Sequence, residues 1–174
     1  SIYSALPQCG AFLNVIGDES MRHVYLKGLL ASSASVFFAA VGRGCEERRV
    51  KSEERRVTKT LTSVFILQDN DEAGYFYHDL TQILGTDNVL FFPSSYRRAV
   101  KYGQRDAANE ILRTEALSRL AAVGGDMKKR SGKTVATPYL YVVTCPEALS
   151  ELVVSKRRLD ERTINIAVGD IVNL

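Results

Sequence analysis

Three short runs rich in β-branched and aromatic residues, each followed closely by a helix-like stretch or a turn, constrain this chain most. They are Leu61–Leu67 (LTSVFIL), Asn88–Phe92 (NVLFF) and Pro138–Cys145 (PYLYVVTC). Near-continuous apolar runs of this length suit strands buried on both faces. After the first, Asn70 is a helix cap, with Asp71 and Glu72 in the first turn. That helix sets Ala73, Phe76, Tyr77, Leu80, Ile83 and Leu84 on one stripe and stops at Gly85. A second helix is expected from about Arg105 to Ala121, with Ala108, Ile111, Leu112, Ala116 and Leu120 inward. Pro146 opens a short helix through Val154. Arg22–Lys27 and Thr163–Val168 also read as strands, and Ser33–Val41 as a deeply packed helix. This alternation predicts an α/β fold, a mostly parallel sheet flanked by helices. At 174 residues the chain is most simply one domain.

Between the expected strand Arg22–Lys27 and the helix that follows it lies a sequence shaped like a phosphate-binding loop. The Walker pattern is G-x-x-x-x-G-K-[ST]. Gly28 fits the first glycine and Ser35 the closing hydroxyl, but Ser33 replaces the second glycine and Ala34 the lysine. The lysine supplies charge to the β- and γ-phosphates, and the glycine lets the backbone curl around them. The expectation is a degenerate loop at Gly28, Ser33, Ala34 and Ser35, no bound cofactor and no hydrolysis. A rival keeps nucleotide binding, using Gly28 amides and a lysine from elsewhere, Lys27 or Lys133. The GKT of Gly132-Lys133-Thr134 lacks its first glycine, because Met127 stands there.

Net charge is +3, too mild to demand nucleic acid. Its placement is more telling. Tyr96, Arg97, Arg98, Lys101, Tyr102 and Arg105 alternate cation and ring in the loop beyond a strand's carboxyl end. Open α/β sheets bind ligands at that edge, and such a mixture suits nucleic acid or a partner protein. The alternative is a solvated loop with tyrosines packed on the sheet. Lys128, Lys129, Arg130 and Lys133 make a second basic loop. The pentamer EERRV occurs twice, seven residues apart, within a charged insertion spanning 43–60. A solvated, partly disordered segment is the expected form. Asp69–Glu72 reads as helix capping rather than a metal site. His23, opening a strand, and His78, off its helix stripe, have no nucleophile or carboxylate at a telling spacing. Cys9, Cys45 and Cys145 form no C-x-x-C pair, so a zinc site or disulfide framework is not expected, and a reducing, cytoplasmic setting fits. Cys145 should be a buried thiol at a strand end. No apolar run is long enough to span a membrane. The first residue, Ser1, and the apolar end at Leu174 suggest a piece of a longer protein.

In order and spacing, four segments resemble the N-terminal region of the bacterial transcription-repair coupling factors, the Mfd family. They are Tyr25–Ser35; Phe65–Gly85, with ILQDNDEAGYFYHDLTQILG; Val89–Pro93 with Gln104-Arg105-Asp106 and the helix Glu110–Leu120; and Leu140–Leu149 followed by Ile164–Asp170. The region is similar to the first domain of the excision-repair protein UvrB. The resemblance implies a P-loop NTPase-like fold, UvrB-like, that does not hydrolyse ATP. UvrB keeps the equivalent loop intact, so Ser33 and Ala34 favour the coupling factor. The aromatic hairpin with which UvrB grips DNA has no counterpart here.

The resemblance implies a non-catalytic module of an ATP-driven DNA translocase that displaces stalled RNA polymerase and recruits UvrA in nucleotide excision repair. This piece would be the base from which the UvrA-binding domain projects, and it would share autoinhibitory contacts with the parent's other domains. Contacts with UvrA, RNA polymerase and DNA would run through the rest of the parent.

Overall fold

The computed structural model describes residues 6–18, 20–51, 61–96, 105–123, 139–155 and 157–158. Among these residues, five helices and three strands follow in the order α1 (Pro7–Ile16), α2 (Ser33–Lys51), β1 (Leu61–Ile66), α3 (Asn70–Leu84), β2 (Val89–Phe92), α4 (Ala107–Val123), β3 (Tyr139–Thr144) and α5 (Pro146–Ser150). The strands form a small open sheet in the order β1-β3-β2, parallel throughout. Thus β3, the last of the three described strands, lies in the middle.

Register sorts the side chains into two faces. Phe65, Val143 and Phe91 share one row, and Ile66, Thr144 and Phe92 the next. On the first face Phe91 stacks on Tyr77 of α3, and Phe65 meets Phe38 of α2 and Phe76 of α3. On the second, the Arg113 guanidinium of α4 lies 4.1 Å from the centre of the Phe92 ring. Helices therefore cover both faces, as the alternating sequence predicts. Cover on the α4 side favours β2, and Val64 and Ile66 of β1 remain 54% and 58% exposed.

Each element has a local cause. Asp69 caps α3, its carboxylate accepting from the Asp71 and Glu72 amides at 3.0 and 2.9 Å. The expected cap, Asn70, is instead the first helical residue, one position too late for that role. Its side chain accepts from the Ser94 amide across the sheet edge. The expected α3 stripe is the observed one, with Ala73 and Leu80 fully buried.

The stripe expected for α4 holds in its second half, where Ala116 and Leu120 pack inward as expected. It fails in the first half: Ala108 is exposed and Ile111 is 69% exposed, while Arg113 and Leu117, not expected there, join the inward face. An apolar-only count misses part of the face because a buried arginine belongs to it. α5 ends at Ser150, short of the expected Val154, and 151–155 continue without regular structure.

α2 runs through Lys51 and so carries the first EERRV, while the second lies outside the described residues, as does Thr163–Val168. α1, absent from the sequence reading, packs Cys9 and Leu13 on Ala40 and Val41 of α2. Its start is set by Pro7 in the first turn.

The expected strand at Arg22–Lys27 is not formed. Residues 21–30 are irregular, 22–28 are exposed, and Tyr25 is 87% exposed. Without a paired neighbour a single extended segment gains neither ladder bonds nor burial. His23 therefore opens no strand.

Gly42 is where α2 meets β3. A methyl group there would stand 2.9 Å from the Tyr141 hydroxyl oxygen and 3.0 Å from the Tyr139 ring. Gly74 on α3 has only Phe91, at 4.0 Å. Gly42→Ala should therefore cost about 2 kcal/mol by overpacking. Gly74→Ala should stabilise by up to about 1 kcal/mol through helix propensity. Urea denaturation of the two variants checks this opposition of sign.

Candidate functional site

The carboxyl ends of the three parallel strands open onto one edge, and the polar side chains gather there. Pro93, Ser94 and Ser95 follow β2, Asn70 starts α3 after β1, and Cys145 follows β3. Ligands of open α/β sheets occupy this edge. Here the centre is the Glu151 carboxylate, just past α5. Its Oε1 accepts from the Ser94 hydroxyl at 2.7 Å and the Ser95 amide at 2.9 Å, and its Oε2 accepts from the Ser95 hydroxyl at 2.5 Å. Arg113 Nη1 stands 3.5 Å from Oε2 and donates to the carbonyls of Pro93 (2.8 Å) and Ala148 (3.1 Å).

Both charged side chains are largely enclosed, at 8% exposure for Arg113 and 13% for Glu151. Burial pushes the Glu151 carboxyl up. The Ser95 and Ser94 hydroxyls, the Ser95 amide and the Arg113 charge outweigh burial and leave it below the ordinary glutamate value. The serine turn is itself fixed, since the Ser94 amide donates to Asn70 and the Ser94 carbonyl accepts from Asn109 at 2.8 Å. An ionised carboxylate so fully supplied with donors ties α5, β2 and α4 together. Beside it lies a cavity of about 350 Å³, walled by Arg113, Thr114 and Leu117 of α4, Tyr96, Arg105 and the strap 151–154.

Sequence reading did not find this cluster, because Ser94, Arg113 and Glu151 come from three distant segments. One signal was available: an arginine four residues after Asn109 and three before Ala116, at the helical spacing of a single face.

Of the cations and rings read as a contact surface, Tyr96 and Arg105 are described. They pair as an isolated antiparallel bridge at the foot of the loop. The Ser95 carbonyl accepts from the Asp106 amide at 2.7 Å just below them. The Arg105 guanidinium meets Glu110 at 3.0 Å and stays exposed. Arg97, Arg98, Lys101, Tyr102, Lys128, Lys129, Arg130 and Lys133 lie outside the described residues.

The phosphate-loop sequence sits elsewhere, at the start of α2. Gly28 takes φ +85° and Ala31 φ +47°, left-handed values unusual for alanine. The Ser33 amide donates to the Leu30 carbonyl at 3.0 Å, closing a turn. Ser35 is 1% exposed, and its hydroxyl stands 3.4 Å from Asp79 Oδ2 on α3. The hydroxyl at the metal-binding position of the pattern thus faces a neighbouring helix. His78 is on the exposed side of α3, as expected. Among the described residues no three His, Cys, Asp or Glu side chains are grouped to hold a metal, and no helix is long and apolar enough to cross a membrane. Comparison with protein families, with curated proteins and with solved structures finds no match to this chain.

Arg113→Ala leaves Glu151 enclosed without its counter-charge and two carbonyls without a donor. A loss of about 3 kcal/mol is expected in denaturant unfolding. The pH response has a definite sign. Because the folded Glu151 pKa is depressed below its ordinary 4.5, its stabilisation is present above that value and is lost as pH falls through the folded pKa. Glu151→Gln should flatten the acid limb of a stability–pH curve below about pH 4.5, and a limb identical to wild type would refute the assignment.

Proposed function

We propose that this chain is a non-catalytic, UvrB-like α/β module of a transcription-repair coupling factor. In this reading it serves as the base for UvrA recruitment and for autoinhibitory contacts with the parent's other domains. The reading rests on the resemblance of the four ordered segments. The observation that carries its non-catalytic part is at the start of α2. There Ala34 stands in place of the phosphate-binding lysine, and the Ser35 hydroxyl is buried against Asp79. A hydroxyl so enclosed is poorly placed to reach a magnesium ion, and no lysine stands at that step of the loop to neutralise γ-phosphate charge. The helices on both faces of a parallel sheet accord with an ancestor of nucleotide-binding type, and the lost residues explain why the shape would outlast the chemistry.

A second reading is a nucleic-acid module built on the loop after β2. Tyr96, 43% exposed, and Arg105 stand side by side at its foot. Engagement of Arg105 by Glu110 weakens that reading, since part of the charge is already answered.

Calorimetric titration of the 174-residue chain with ATP and ADP in the presence of magnesium should give no saturable heat at high micromolar protein. Saturable binding would overturn the proposal in favour of an active site. DNA titrations separate the second reading. A module contacting phosphates loses affinity steeply with salt, by about one log unit per contacted phosphate for each tenfold rise. Charge reversal at Arg97, Arg98 and Lys101 should leave DNA affinity unchanged if the first reading holds.

A further inference from the structure

We propose that Ser94, Ser95 and Arg113 form a carboxylate-binding cradle which the chain closes with its own Glu151, making residues 151–154 a displaceable latch. The cradle has the features of a binding site rather than of packing alone. Two hydroxyls, one amide and one guanidinium converge on two oxygens, at the carboxyl edge of a parallel sheet. Ser94, Ser95 and Arg113 are all under 9% exposed, so the donors are shielded from water and held in place by Asn70, Asn109 and two carbonyls. Donors fixed in this way keep their geometry whether the carboxylate arrives in cis or from another molecule.

The strap itself is held mainly by that one group. Leu152 is fully exposed, and Val153 and Val154 are each more than half exposed, so burial contributes little to keeping it down. Beneath it the cavity of about 350 Å³ has Tyr96, Thr114 and Leu117 in its wall. An incoming carboxylate has room to approach the cradle as Glu151 leaves. The ligand class is a planar monoanionic carboxylate, such as the side chain of an acidic residue, because two oxygens in one plane match the paired serine donors and the arginine. The inference concerns this edge alone and does not depend on the parent protein.

Chemical rescue tests the cradle. Glu151→Ala should melt several degrees below wild type, by about 5 °C or more. Sodium acetate at about 100 mM, taken as a large excess over a weak site, should then recover much of the loss, while chloride at equal ionic strength and inorganic phosphate should not. Wild type should respond to acetate no more than to chloride. A folded Glu151→Ala protein that responds equally to acetate and chloride overturns the cradle, and one stabilised by phosphate but not by acetate overturns the carboxylate assignment. Should that variant not fold, elastase cleavage within Leu152–Val154 of the isosteric Glu151→Gln decides. Cleavage about tenfold faster than wild type is expected of a released latch, and an unchanged rate overturns it.

Discussion

The central strand β3 is enclosed on both edges and both faces. All six of its residues are buried, and it pairs with β1 from Leu61↔Tyr139 to Ile66↔Thr144 and with β2 from Val89↔Tyr141 to Phe92↔Thr144. A strand in this position has one workable register, since a slip of one residue would exchange every side chain between two differently packed faces. On the α2 and α3 side, Tyr141 sets its ring edge-on to Phe65 and donates its hydroxyl to the Phe38 carbonyl at 2.6 Å. On the other side, the Thr144 hydroxyl donates to the Phe92 carbonyl at 2.7 Å. The last pair of the register thereby places the end of β2, and with it Pro93, Ser94 and Ser95, beside the start of α5. The polar edge is a consequence of the strand.

That edge holds an arginine and a glutamate where an apolar pair would pack with less desolvation. Such pairs add little net stability, yet the loss of one member leaves the other enclosed and unanswered. The geometry here offsets the desolvation through many donors: Arg113 reaches two carbonyls and lies on the Phe92 ring, and Glu151 accepts from both serines. The gain is specific as well as energetic, because only one placement of α4 brings the guanidinium to all of these partners.

Strands and the helix between β1 and β2 are legible in the sequence because local pattern and final burial agree there. Within LTSVFIL, NVLFF and PYLYVVTC, residues 61–66, 89–92 and 139–144 become strands, and the stripe of α3 is the one that packs. Legibility fails where a residue's role is set by distant partners. The role of Arg113 is set by Phe92, Pro93 and Ala148 around it, all distant in sequence. The first half of the α4 face is misread for the same reason, and Arg22–Lys27 has strand-like composition but lacks a neighbour to pair with among the described residues. The turn at Gly28 to Ser33 is readable as a departure from a phosphate-loop pattern, but the inward turn of Ser35 toward Asp79 depends on α3, which begins 35 residues later.

The three thiols sit at graded depth. Cys9 and Cys145 are fully enclosed, Cys45 is half-buried, and none is joined in a disulfide. Desolvation by burial raises the pKa of Cys9 and of Cys145, so at neutral pH both remain protonated and poorly nucleophilic. Cys9 lies between α1 and α2, and Cys145 lies under the sheet edge beside Asn70. An oxidant or electrophile reaches either one only when that part of the molecule opens. Their modification is therefore gated by breathing of the fold: when reagent is abundant, the rate at which each thiol is lost becomes the rate at which its own corner of the protein comes apart.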